Sequence, residues 1–112
     1  MTISTHVLDT SIGRPAKGMK VRLDYRKAGD SWTELGTFTT DADGRVQDLI
    51  AAGRGAGPGT YRLTFGVAAY FDALSIGTFY TDVTIEFVVR DETHHHVPLL
   101  VSPYSYSTYR GS

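Results

Sequence analysis

The chain contains no cysteine, which excludes disulfides, thiolate nucleophiles, zinc ribbons and iron–sulfur ligation together. No apolar run approaches the roughly 20 residues a membrane-spanning helix needs. The opening Met1-Thr2-Ile3-Ser4-Thr5-His6 has neither the basic n-region nor the apolar h-region of a secretory leader. A cytoplasmic location with no membrane partner is therefore expected. An excess of one charge is missing too: 11 Lys plus Arg stand against 12 Asp plus Glu, a formal net charge of −1, and no segment gathers the basic residues. A nucleic-acid surface is not expected without such a basic patch. Repeats and low-complexity tails are absent as well. The 112 residues suit one domain spanning 1–112, and a chain of this size buries roughly two-thirds of its unfolded surface, enough for a core without staples.

The strongest positive signal is period-two alternation. Val21, Leu23 and Tyr25 alternate with Lys20, Arg22, Asp24 and Arg26, the pattern of a strand with one dry and one wet face. The same pattern recurs in Tyr61–Phe65 and in Val83–Arg90, where Val88 stands on the face expected to be polar and so points to a covered outer surface. Trp32–Phe38 and Arg45–Leu49 read as shorter strands, with hairpin chemistry in Asp41-Ala42-Asp43-Gly44 between them. Val67–Leu74 has helical composition and is about two turns long at most. Ala51–Gly59 is a glycine-rich connection. Many short strands with close turns indicate a sandwich or barrel.

Along His94–Val101, residues 95, 97, 99 and 101 share one face, so His94 and His96 leave the core side. The closing Tyr104-Ser105-Tyr106-Ser107 alternates ring and hydroxyl, as in a strand packed on one face and hydrogen-bonded on the other. His94 and His96 have the spacing of two metal ligands on one strand, but with no cysteine and no third partner nearby a polar or catalytic pair is the better reading, and no metal is expected. The Asp41–Gly44 run fails as a calcium loop because Ile50 stands where the bidentate glutamate belongs. Pro58 breaks a dinucleotide motif in the glycine-rich segment, and Ser75 lacks the preceding glycine of a nucleophile elbow. His6 alone is a strand histidine, and Arg45 alone is a solvated residue after a turn. Spacing does not bring His6, Arg45 and His96 together.

Four segments resemble one family. Tyr106-Ser107-Thr108-Tyr109-Arg110-Gly111-Ser112 is similar to the tail of the transthyretin-related 5-hydroxyisourate hydrolases. His94-His95-His96-Val97-Pro98-Leu99-Leu100-Val101-Ser102-Pro103 resembles their His-aromatic-His-Val-Pro-Leu-Leu segment, with His95 at the aromatic place. Ser4-Thr5-His6-Val7-Leu8-Asp9-Thr10, with Gly13-Arg14-Pro15-Ala16, resembles the N-terminal signature, and Thr40–Arg45 the third motif. Ser105 stands where glycine is common. The matches come in order, at both ends and in the middle of the chain.

The resemblance implies an all-β, transthyretin-like sandwich of two four-stranded sheets with one short helix. It also implies a homotetramer, a dimer of dimers, whose central channel holds the active sites at its mouths. It assigns His6, Arg45 and His96 as a catalytic trio, and Tyr109, Arg110, Gly111 and Ser112 as the substrate-binding tail, with Tyr109 narrowing the pocket. The implied reaction is cofactor-independent hydrolysis of 5-hydroxyisourate, the purine-derived product of urate oxidation, to 2-oxo-4-hydroxy-4-carboxy-5-ureidoimidazoline. One of His6 and His96 would be the base, and Arg45 would face the oxyanion. A small-ligand carrier of the same fold and an inert scaffold are the alternatives. The tail and the paired histidines favour the enzyme.

Overall fold

The computed structural model describes residues 1–27, 29, 31–50 and 57–112, so most of the glycine-rich segment, Ala51–Ala56, lies outside the described residues. The elements are β1 (Thr2–Asp9), β2 (Arg14–Pro15), β3 (Lys20–Arg26), β4 (Thr33–Thr39), β5 (Arg45–Val46), β6 (Gly59–Phe65), α1 (Val67–Asp72), β7 (Val83–Val89), β8 (His94–Ser102) and β9 (Ser105–Thr108). One sheet runs β4-β3-β6-β7. The other runs β2-β1-β8-β9, with β5 also on β1. β5 meets Thr5 and His6, and β2 meets Leu8 and Asp9, so the two short strands divide one edge of β1 between them. Both sheets are therefore four strands wide, as expected, although the second is assembled from five pieces.

The two-residue period decides which side chains fill the space between the sheets. β1 and β8 send in Ile3, Val7, Val97, Leu99 and Val101; the facing sheet answers with Val21, Leu23, Tyr61, Leu63, Phe65, Val83 and Val89. On the outside of that facing sheet Asp24 is nonetheless buried, because Arg22 and Arg62 fold over its carboxylate at 3.2 and 3.0 Å. Arg62 then lies over the Trp32 ring. Val88 does project outward, and within one chain it is 48% exposed, left half open by the described residues.

The Asp41–Gly44 turn forms, but it does not close a hairpin. β4 belongs to one sheet and β5 to the other, so the turn carries the chain across the sandwich. Within the turn, Arg45 N–H and Asp43 N–H both donate to Asp41 Oδ1, which curls the backbone on itself before β5 begins. β5 is correspondingly short, and the expected strand over Arg45–Leu49 shrinks to two residues.

Helix α1 is too short to stand alone and is held by its surroundings. Val67 and Phe71 are buried, Ala68 N–H donates to Thr81 O at 2.8 Å, and Tyr70 Oη–H donates to Asp9 Oδ2 at 3.0 Å. Asp9 closes β1 facing inward and also accepts from Ser11 N–H. Burial, reinforced by the hydrogen bond to Asp9 and its negative charge, pushes the Tyr70 phenol up to about 12 from 10.0. Between those two values the unfolded chain has lost the phenolic proton and the folded chain keeps it, so stability falls as pH rises through that window. Tyr70→Phe should flatten this alkaline decline and cost about 1–3 kcal/mol at neutral pH through the donor lost to Asp9. Denaturant unfolding at a series of pH values measures both, and an unchanged alkaline slope would contradict the linkage.

Candidate active site

The outer face of the β1–β8 sheet carries the polar residues. β1 and β8 pair in parallel with Thr2 opposite His94, Ser4 opposite His96 and His6 opposite Pro98. The alternation that buries Ile3, Thr5 and Val7 turns Thr2, Ser4 and His6 outward, and the one that buries His95, Val97 and Leu99 turns out His94 and His96. On its other edge β1 sets His6 directly opposite Arg45. The proposed trio, scattered across the sequence, thus converges on one surface.

A glycine makes that placement possible. Gly44 has φ +74°, accepts the Val7 N–H at 2.7 Å on its carbonyl, and sits so close to β1 that a Cβ would lie 2.4 Å from Val7 O. Only a residue without a side chain permits this approach in the left-handed region, and the next residue, Arg45, then falls opposite His6. Among the described residues no carboxylate pairs with the Arg45 guanidinium. None of its five side-chain donors is engaged by a described residue.

His96 Nδ1 is 2.7 Å from Ser4 Oγ, and the same oxygen is 2.9 Å from His94 Nε2. His94 Nδ1 also contacts Thr2 Oγ1. The two rings lie nearly parallel, 17° apart in plane with centroids 6.4 Å apart. Partial burial, then the positive charge of Arg45 and the neighbouring His94 and His6, hold His96 below its ordinary value of 6.5, so its neutral form prevails at physiological pH. Nothing among the described residues hydrogen-bonds His96 Nε2. Beside these groups lies a cavity of about 370 Å³ lined by Ser4, Thr5, Arg45, Gln47 and His94, within the range of small-molecule sites.

The tail residues separate. Gly111 bridges β8, its N–H donating to His96 O at 2.8 Å, whereas Tyr109 and Arg110 line a groove of about 260 Å³ with Phe87, Val88, His95 and His96 at the β7 edge. Ser112 is exposed. His95 points into the sandwich, its Nδ1 bonded to Thr93 O at 2.9 Å, and takes no place among the outward residues. Thr2, Ser4 and Gln47 were not singled out from the sequence, yet each lies two residues from a member of the trio or from a residue that is, so the period-two rule alone would have put them on the same face. Among the described residues no group of three or more His, Asp or Glu could hold a metal ion.

The model of the HIUase/Transthyretin family matches residues 3–111, and the chain belongs to that family. A 5-hydroxyisourate hydrolase of Salmonella dublin is 43% identical over 111 residues, 98% of this chain and 80% of that one. The solved 5-hydroxyisourate hydrolase of Klebsiella pneumoniae superposes with a TM-score of 0.84 at 39% identity, covering 99% of this chain and 93% of that chain. Sea bream transthyretin, solved in complex with thyroxine, superposes at 0.90 with 28% identity, covering 99% and 95%. Both functions known for those neighbours are thus carried by the same backbone, and side chains must separate them.

Gly111 offers a direct test of the His96 environment. A Cβ there would lie 2.5 Å from His96 Cδ2, so Gly111→Ala must either turn the imidazole or lift the tail off β8. The His96 ring resonances should shift while the thermal midpoint barely moves, because Gly111 contributes an isolated bridge and no core contact. Unchanged ring resonances would show that the tail does not hold the imidazole.

Proposed function

We propose that this chain hydrolyses 5-hydroxyisourate, opening its six-membered ring at the cyclic amide, with His96 as general base and Arg45 as oxyanion donor. The observation that carries the reading is that His6, Arg45 and His96 come from three strands to one outer face, with no carboxylate among the described residues paired to the Arg45 guanidinium. Water attacks the carbonyl carbon and yields a proton to His96 Nε2. The negative charge gathering on the carbonyl oxygen meets the planar Arg45 fork, which also suits a urea-like substrate edge. As the carbon–nitrogen bond breaks, the same proton passes to the departing nitrogen. His6, opposite Arg45 on β1, orients water or substrate. No step calls for a cofactor. Imidazoles and hydroxyls across the outer face suit a polar bicyclic substrate better than an apolar cargo, which sets the carrier reading second.

Freshly generated 5-hydroxyisourate should decay faster with the protein than without it, followed in the ultraviolet. Arg45→Lys keeps the charge but loses the fork, and its turnover should drop by about 10²–10³, the usual cost of one oxyanion donor, with the thermal midpoint near wild type. Arg26→Lys, on the other sheet beside Trp32, should turn over like wild type. Full activity in Arg45→Lys would remove Arg45 from the chemistry.

We place the site in a homotetramer built as a dimer of dimers. β7 and β9 are the terminal strands of their sheets, and residues of both flank one groove, so each chain presents two neighbouring open edges together with exposed Val88, Tyr104 and Phe79. A second copy pairing along both edges covers them and extends each sheet. Tyr109 and Arg110, turned to that edge, would then reach a site shared between copies. Sedimentation should give the mass of four chains, and a monomer at micromolar concentration would sink the shared-site arrangement.

A further inference from the structure

Four outward side chains form one unbroken line: Thr2 Oγ1 at His94 Nδ1, His94 Nε2 2.9 Å from Ser4 Oγ, and Ser4 Oγ 2.7 Å from His96 Nδ1. A serine hydroxyl has a single proton to give. It can donate to one of the two ring nitrogens, and the other nitrogen must then donate to Ser4 Oγ. When both rings are neutral, two arrangements satisfy every contact. In the first, Ser4 donates to His96 Nδ1, His94 donates from Nε2 and Thr2 donates to His94 Nδ1, so both rings carry their proton on Nε2. In the second every bond is reversed and both carry it on Nδ1. Unlike tautomers leave either the Ser4 proton without an acceptor or one ring nitrogen without a donor, since Ser4 Oγ has no third partner among the described residues. Ser4 is buried, with 8% of its surface exposed, and its hydroxyl is already engaged by both rings.

We propose that Ser4 couples His94 to His96 as a proton relay ending at Thr2, with Ser4 and His94 acting as positioning residues for the base. This rests on the hydrolase reading and extends it. With both protons on Nδ1, His96 Nε2 is bare and takes the proton of the attacking water. The Nδ1 proton of His96 moves to Ser4 Oγ, the Ser4 proton to His94 Nε2, the His94 Nδ1 proton to Thr2 Oγ1, and the Thr2 proton to solvent. Thr2 is exposed and can release it. One proton has entered the line and one has left. His96 is neutral again, now protonated on Nε2, and gives that proton to the departing nitrogen while the line runs back from solvent and restores the starting state. What the relay avoids is an imidazolium persisting beside Arg45, the cation that already disfavours it.

The ring protons can be read without substrate. In the intact protein under mildly alkaline conditions, where a histidine of ordinary pKa near 6.5 is neutral, long-range proton–nitrogen NMR correlations should give His94 and His96 the same tautomer. In Ser4→Ala the match should disappear, with kcat lower by about 10²-fold, the low end for loss of organised proton transfer, and KM unchanged. Ser4→Thr keeps the hydroxyl and should recover the rate. Unlike tautomers in the wild type, or a folded Ser4→Ala turning over at the wild-type kcat, would overturn the relay. A wild type inactive on 5-hydroxyisourate strikes the hydrolase reading instead, and the ring measurement still decides the coupling.

Discussion

The parallel register of β1 on β8, which runs from Thr2 against His94 to Asp9 against Val101, ties the packing of the core to the composition of the site. Side chains on a strand alternate strictly, so a slip of one residue would exchange faces along its whole length. His94 and His96 would enter the sandwich and His95 would leave it. The apolar residues Ile3, Val7, Val97, Leu99 and Val101 make that slip costly, since each would move from a dry interior into water. The histidines thus hold their outward positions through residues that never touch a ligand. Their chemistry is set by the hydrophobic effect one face away.

Buried carboxylates show the same division of labour. Asp9 and Asp24 are both nearly inaccessible, and each is matched by donors: Ser11 and Tyr70 for the first, Arg22 and Arg62 for the second. A buried ion with its hydrogen bonds satisfied can serve structure, whereas an unmatched one is costly. Arg45 is the contrast. It lies among residues that give it no counter-ion, and its charge acts on the neighbouring imidazole and on whatever occupies the cavity. Among the described residues its guanidinium has no carboxylate partner and lies on the same face as two imidazoles, whereas Asp24 by contrast is held by two arginines.

Alternation made much of this visible before any coordinates. The strands over 20–26, 61–65 and 83–89, and the outward direction of His94 and His96, follow from a period of two and from burial of one face. What alternation does not encode is which strand lies beside which. The meeting of His6 with Arg45 depends on β5 leaving its sequence neighbour β4 and crossing to β1, and a turn sequence such as Asp41–Gly44 is compatible with either course. The family resemblance grouped His6 with Arg45 and His96, but the strand pairing that brings His6 and Arg45 together comes only from the fold. Ser4 shows the reverse case: a period of two would put it on the face of His6, although the sequence did not single it out, and its bridging place between two imidazoles comes only from the strand register.

Gly44 shows how a position without chemistry of its own can fix where a charged side chain stands. It carries no functional group, yet any side chain there meets the Val7 carbonyl and must push β5 away from β1. If the proposed hydrolase site holds, a mutational survey scored by turnover alone would rank Gly44 with the histidines. A survey scored by stability alone would file it with the core. Only the two measured together would reveal it as the joint through which backbone geometry is converted into the position of a charge.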